Sequence, residues 1–326
     1  MSGMTTANMD LLTRTELWSS TLKETLKDQL MGMGYVDMLT EFPDGNTFTI
    51  PSIGEPQVDD FDEGGEIQFR PRDTGEFQFT IDTYLSSGES ISEKAMQDSY
   101  YAERLLALYA PDQERKILEK FETDMFAKPN AAAAANSAET INGTAHRFAG
   151  GNAGALEVAD FAYARYSLQK ANVPMTNLVA IVDPSVEYTI NTLTNLTNVS
   201  DNPRWEGIIE SGIGGGATGM SFIRNIYGFD VYTSNYLPDV TDNALNERDG
   251  STAQNFSSAN GKANYFFSAV GGDLLPWKAA WRQEPKIEYE YDMKTQNHYW
   301  ATTARYGISF YRPENMVTVV TNPTVS

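Results

Sequence analysis

The sequence predicts an α+β fold: a long helix and a mixed region of strands and shorter helices, preceded by a helical arm and an extended ribbon. Three observations predict it. Within the stretch 46–90, "EIQFRPRDTGEFQFTID" alternates apolar and polar side chains with the period of two that a strand requires. Residues 92–127 and 156–171 place apolar residues at helical spacing. Beyond residue 221 the apolar runs are short and aromatic, with Gly, Asn, Asp and Pro between them, as in strands joined by loops. No internal repeat is visible.

Residues 8–31 read as an amphipathic helix with Asn8 or Asp10 as its cap. Trp18, Leu22, Leu26 and Leu30 recur every fourth residue with Lys23, Glu24, Lys27 and Asp28 between them, and Gly32 and Gly34 end the helix. The stripe is narrow and terminal, so a neighbouring subunit is as good a cover for it as the chain's own core.

The ribbon follows. "NTFTIPSIG" is strand-like, "VDDFDEGGE" is an acidic loop, and "EIQFRPRDTGEFQFTID" alternates strictly. Ile67, Phe69, Phe77, Phe79 and Ile81 fall on one face; Glu66, Gln68, Arg70, Glu76, Gln78 and Thr80 fall on the other. Residues 71–75 supply turn chemistry between the two halves. A long ribbon of few strands is marginal alone. Another molecule is its expected support.

The helix over 92–127 starts at Ser92 and Glu93, and Pro111 should break or kink it. "KPNAAAAANSAETINGT" reads as a loop of small residues, and 156–171 as a further helix. "NLVAIVDPSVEYTINTLTN" is a buried strand running into a helix with Pro184 in its first turn, a position proline tolerates. Strands are expected at 221–227, 229–234, 264–269, 285–291 and 298–311.

Composition narrows the function. With 44 acidic against 24 basic residues the formal net charge is −20, which disfavours phosphate backbones and anionic lipid. No cysteine is present, which excludes thiolate metal sites, cysteine nucleophiles and disulfides. The first 18 residues lack a basic start and an apolar core, so no export signal is expected. No run approaches the roughly 18 apolar residues of a membrane span, so no membrane partner is expected.

The chemical motifs fail on inspection. "GGGATG" at 214–219 matches the dinucleotide pattern, but a strand, not a helix, is predicted after it. Read as a phosphate-binding loop, it has Met220 where lysine is needed. In "DDFDEGG", counting from Asp60 puts Pro71 where an EF-hand needs its glutamate. An irregular cation site among Asp59, Asp60, Asp62 and Glu63 stays open, beside the reading as a solvated loop. His146 and His298 are the two histidines, and neither sits in a nucleophile or metal motif. No catalytic constellation is found, and no cofactor is expected.

Five stretches stand in a telling order: "TFTIPSIGEPQVDDFDEGGEI" with "FTID", "SISEKAMQDSYYAERLLALYA…ERKILEKFETDMF", "NLVAIVDPSVEYTI", "IRNIYGFDVYTSNYLP" and "YGISFYRPENMVTV". In that order they resemble the extension loop, the spine helix, the entry to the axial domain, a glycine-aromatic strand pair and the last peripheral strand of tailed-bacteriophage major capsid proteins, which share the HK97-like fold. The resemblance covers most of the chain. It implies an N-terminal arm at 1–45, an extension loop at 46–90, a peripheral domain with the spine helix at 91–175, an axial domain at 176–262 and return strands at 263–326. It places Gly228 at the bend between two packed strands.

The implied function is a structural, non-catalytic subunit that forms hexamers and pentamers of the icosahedral head around double-stranded DNA. Its arm and extension loop overlap neighbours, so Trp18, Leu22, Leu26, Leu30, Ile67, Phe69, Phe77, Phe79 and Ile81 are candidate interface residues. Arg70, Arg72, Asp73 and Glu76 are candidate inter-subunit pairs. The implied partners are copies of itself, a separate scaffolding protein (none is fused ahead of the arm), a portal protein and a cement or decoration protein, with packaged DNA only in weak, non-specific proximity. The implied location is the virion capsid, assembled in the host cytoplasm. Residues 28–93 contain no lysine, so the covalent loop crosslink of some family members is not expected. An encapsulin-like nanocompartment shell is the alternative within the fold. An acidic, aromatic-rich carbohydrate-binding or hydrolytic protein is the alternative outside it, and would need export.

Overall fold

The structure, a computed structural model, describes residues 30–40, 45, 47–54, 56, 58–60, 63, 66, 69–98, 102–133, 139–151, 154–192, 225–250, 252–256 and 261–322. A 3₁₀ turn (Gly32–Tyr35) leads into β1 (Val36–Met38), the ribbon strands β2 (Thr47–Ile53) and β3 (Thr74–Thr80), and β4 (Thr83–Ser92). Helices α1 (Glu93–Asp98) and α2 (Ala102–Ala132) follow, then β5 (Thr140–Ile141), β6 (Thr144–Ala145), β7 (Arg147–Ala149) and α3 (Val158–Lys170). Next come β8 (Leu178–Val182), α4 (Pro184–Thr192), β9 (Asn225–Ile226), β10 (Phe229–Thr233), β11 (Asp239–Val240), β12 (Leu245–Asn246) and β13 (Ala253–Gln254). The chain closes with β14 (Gly261–Ser268), β15 (Trp277–Asp292), β16 (Asn297–Phe310) and β17 (Met316–Thr321).

Two sheets carry the body. The larger runs β7-β17-β14-β8-β10-β9, with β11 on the end of β14. All five residues of β8 are buried, because both faces of this sheet are covered, and a strand so placed is apolar throughout. Leu178, Ala180 and Val182 face α3 and α4, among Phe161, Leu168, Val186 and Ile190. Val179 and Ile181 face the long helix and the smaller sheet. That sheet runs β1-β15-β16-β4, with β1 parallel to β15 and the rest antiparallel.

The long helix lies along the smaller sheet. Thr302 donates to Gln113 at 2.7 Å, Phe121 stacks on Trp281 with centroids 5.0 Å apart, and Phe126 meets Trp277 edge-on. This burial explains why Pro111 does not break the helix, which runs unbroken from Ala102 to Ala132. The proline costs about 3 kcal/mol in a bare helix, whereas burying side chains such as Ile117, Phe121, Met125 and Phe126 yields roughly 1.5–3 kcal/mol each. The same packing carries the helix five residues beyond 127, into the stretch expected to be loop. Asn142 and Gly143, both with positive φ, then make a two-residue turn between β5 and β6, the Asn-Gly signature of a tight hairpin.

Of the strands expected late in the chain, those at 229–234, 264–269, 285–291 and 298–311 are present and β15 is longer than expected; residues 221–224 lie outside the described residues. The β15–β16 ladder shifts register between Trp281 and Lys286, around Pro285, which has no N–H to give. The Tyr227-Gly228 pair, at φ of 50° and 87°, forms the expected bend between β9 and β10, and Arg165 donates to the Tyr227 carbonyl at 2.7 Å.

Two predictions follow from the packing. A Cβ on Gly307 would lie 2.5 Å from the Thr80 carbonyl oxygen and 2.9 Å from Ile81 Cα. Gly307→Ala should therefore cost about 1–3 kcal/mol, read as a lower denaturation midpoint. His146 is buried, with Nε2 unpartnered among the described residues, and desolvation pulls its pKa below the ordinary 6.5 despite its bond to the Thr144 carbonyl. The unfolded chain then binds the proton more readily, so stability present above pH 6.5 declines as pH falls below it. Urea titrations between pH 8 and 5 should show a shallower decline for His146→Gln than for the wild type.

Candidate assembly surfaces

Residues 31–38 and the ribbon are each rooted in the body by buried contacts. Ahead of β1, the Met31 and Gly32 amides each donate to Glu122 Oε2 of the long helix at 2.9 Å. Ser234, just past β10, reaches the other oxygen at 3.4 Å. A buried carboxylate here accepts from the first N–H groups of the 3₁₀ turn, the polarity a helix start favours. Leu30 and Met31 lie outside any helix, so the expected arm helix does not reach residue 31. Leu30 is half-buried. Trp18, Leu22 and Leu26 lie outside the described residues, as do 8–29 altogether.

A second root ties β1 to β15. Lys278 reaches Asp37 and Asp273 at 2.7 Å each, and Arg312 reaches Asp273 at 2.7 Å. Burial alone would lower the Lys278 pKa, but these hydrogen bonds outweigh it and hold it above the ordinary value. Both cations lie over the Tyr311 ring, at 4.4 and 5.0 Å, and Phe77 of the ribbon meets that ring edge-on.

The ribbon differs from the expected hairpin. β3 pairs along its whole length with β2, Phe79 opposite Phe48 and Thr74 opposite Ile53, and not with the 66–70 stretch. Among the described residues of 66–81, burial alternates only along β3, where Phe77 and Phe79 turn inward; Phe69 and Arg70 are both exposed. The single apolar face is corrected accordingly. Phe79 and Ile81 are 0% and 2% exposed, packed with Ala280 in the subunit's own core, because β3 crosses the end of the smaller sheet there. Phe77 is half-buried. Phe69, beyond the ribbon, is 92% exposed. Arg70, Arg72, Asp73 and Glu76 are exposed, and Arg70 pairs with Asp59 at 3.3 Å. Ile67 lies outside the described residues.

A third surface was not foreseen. The hairpin end of β15 and β16 leaves Ile287, Tyr289, Tyr291, Met293 and Tyr299 exposed. His298 there lies within hydrogen-bond distance of Glu93 through Nε2 at 2.6 Å and of the Tyr289 hydroxyl through Nδ1 at 2.5 Å. Bonds from His298 and Gln97 hold the Glu93 carboxyl below its ordinary range, so the ring links hairpin to helix α1. Sequence signalled the strands here but not their shared exposure. Among the described residues no cluster of His, Asp and Glu is arranged to hold a metal, and no helix is long and apolar enough to cross a membrane. The glycine-rich stretch 214–219 lies outside the described residues.

A two-sheet body with a long helix and an extended ribbon matches the HK97-like capsid fold. The sequence matches the family model described as phage capsid protein over residues 75–319, about three quarters of the chain. The chain belongs to the phage capsid protein family. The fold is similar to that of a chain in the capsid structure of cyanophage P-SCSP1u, with a TM-score of 0.70, 16% identity, and 98% of this chain and 94% of that one covered. It is similar too to a chain from Mycobacterium phage Che8 (0.60, 19%, covering 96% and 98%) and to one from the capsid of Ralstonia phage GP4 (0.64, 10%, covering 95% and 95%). No curated protein matches the sequence.

Phe79 in the ribbon and Phe69 in the loop beyond it should separate core from surface. Phe79→Asp buries an unpaired charge and should unfold the subunit. Phe69→Asp should leave its thermal melt unchanged within about 0.5 kcal/mol. Circular dichroism melts of both variants check this.

Proposed function

We propose that this protein is the major capsid subunit of a tailed phage, assembling as hexamers and pentamers into an icosahedral head that encloses double-stranded DNA. The observation that carries the reading is the family match over residues 75–319, joined to a loop that leaves Phe69 bare to solvent. In this reading residues 1–45 are the arm, 46–90 the extension loop, 91–175 the peripheral domain with the spine helix, 176–262 the axial domain and 263–326 the return strands. The arm and the loop lie on neighbouring subunits. The body supplies shape and edges rather than chemistry, and no turnover is expected of it. A separate scaffolding protein and a portal protein are its partners, in assembly that takes place in the host cytoplasm.

The charge fits this role. A subunit of net −20 gains little from counterion release on DNA, so a dense genome would not adhere to the wall that holds it. Assembly energy must then come from apolar burial and local charge pairs at the seams. Electron microscopy of the full chain, expressed with and without a co-expressed scaffolding protein, tests the reading. Closed shells are the expected result, and a chain that stays monomeric in both cases overturns it. Removing residues 1–29 spares the Glu122 anchor, so the subunit should keep its circular dichroism spectrum yet fail to form stable shells.

A further inference from the structure

We infer that residues 69–72 of one copy dock on the outer face of the β15–β16 hairpin of a second copy, an inference that rests on the reading that the loop contacts a neighbour. The receiving surface is a cleft of about 500 Å³ lined by Glu288, Tyr289, Glu290, Tyr299 and Ala301. Glu290 stands opposite Tyr299 in the ladder, and Glu288 opposite Ala301, so both carboxylates share one face with the tyrosine ring. Carboxylates beside an aromatic ring suit a guanidinium, which stacks on the ring while its fork bonds the acid. Lys286 bonds Glu288 at 2.7 Å, but that pair is exposed at both ends and exchanges readily for a better-fitting cation.

The loop offers the complement. Arg70 and Arg72 are exposed, and Pro71 between them restricts Arg70 to extended conformations. Side chains two apart on an extended chain share a side at about 6.5–7 Å. Glu288 and Glu290 repeat the same spacing on β15, so two guanidiniums meet two carboxylates in register. The Arg70–Asp59 pair of the free chain is half-exposed at both ends, and docking replaces it. The other leg of the loop carries Asp59, Asp60, Glu63 and Glu66 and is repelled by the same carboxylates, which fixes the side presented.

Leg and cleft cannot meet within one chain. The ribbon passes Gly307 at Thr80 and Tyr311 at Phe77, running away from the turn between β15 and β16. At about 3.3 Å per residue the two surfaces are roughly 50 Å apart along the strands. Complementary patches at opposite ends of a body give head-to-tail contacts, which close into rings when the rotation allows.

The chain has no native cysteine, so introduced cysteines report the contact cleanly. Arg70→Cys combined in turn with Glu288→Cys and Glu290→Cys, in the assembled full chain, should give inter-subunit disulfide ladders on mild oxidation for one of the two pairs. Assembled particles with no ladder for either pair overturn the inference. A charge swap covers the case in which the cysteine variants do not assemble. Arg70→Glu with Arg72→Glu, or Glu288→Arg with Glu290→Arg, should each lower particle yield at least about tenfold, and all four changes in one chain should restore it. Normal assembly of the Glu288→Arg, Glu290→Arg chain, or no restoration, overturns the docking site. If in that event Phe69→Asp, which leaves the subunit folded, blocks assembly, the loop does contact a neighbour, and the proposed function stands without this seat.

Discussion

Every extended part of this molecule depends on the packing of three aromatic rings around Trp277. Phe126 of the long helix and Tyr265 and Phe267 of the larger sheet meet its indole edge-on, at 5.3 to 6.1 Å between centroids. Trp277 also begins β15, so helix, large sheet and small sheet are joined at one point. Edge-to-face pairs contribute about 0.5–1.5 kcal/mol each beyond the area they bury, and they fix orientation as well as distance. Tyr265 adds a polar lock by donating to the Phe126 carbonyl, and its burial pushes its pKa well above 10, so it stays a donor. Interiors of this density do not deform continuously. The helix therefore presents Glu122 at one position relative to Met31, Gly32 and β1.

The same logic governs the ribbon. Two strands without a third have little stability in water, so β2 and β3 need a rigid mount. Phe79 and Ile81 provide it by entering the core beside Ala280, and Gly307 permits the close approach because it has no side chain. Beyond that mount the ribbon buries progressively less, through Phe77 on Tyr311 to Phe69 in full contact with water. Stability thus falls along the extension while reach increases. Such a gradient suits an element whose outer part gains its contacts only on assembly.

How far the sequence reveals this follows from what each signal reports. Periodicity reports burial on a face, so α3, α4, β8, β10 and the long helix are legible from their apolar spacing, and the doubly covered β8 from its unbroken apolar run. Periodicity does not report partners. The alternation at 66–81 is compatible with a local hairpin or with a distant partner, and strand β2, separated from β3 by 20 residues of loop, takes the pairing. Nor does it report which body a face packs on, which is why Phe79 and Phe69 look alike in sequence and differ completely in exposure. Pro111 is a local signal overruled by tertiary burial. Glu122 and Ser234 are silent for another reason: a buried polar pair is defined by groups 112 residues apart. In the string "VYTSN" the serine is ordinary until its partner is known.

The small sheet has a further demand on it. Beyond Ala279, the residues that β1 covers, the outer edge of β15 pairs with no strand among the described residues. A free edge of that length invites indiscriminate pairing with any other strand. Here the edge carries Glu284, Pro285, Lys286, Glu288, Glu290 and Asp292. Pro285 interrupts its donors and disturbs the ladder, and the charges resist backbone-to-backbone approach by an identical acidic strand. Main-chain pairing between copies is thereby suppressed, while the side chains on the face of the sheet stay available. For a subunit that must meet many copies of itself, contacts made by particular side chains are safer than contacts made by backbone, because only the former can reject a wrong register.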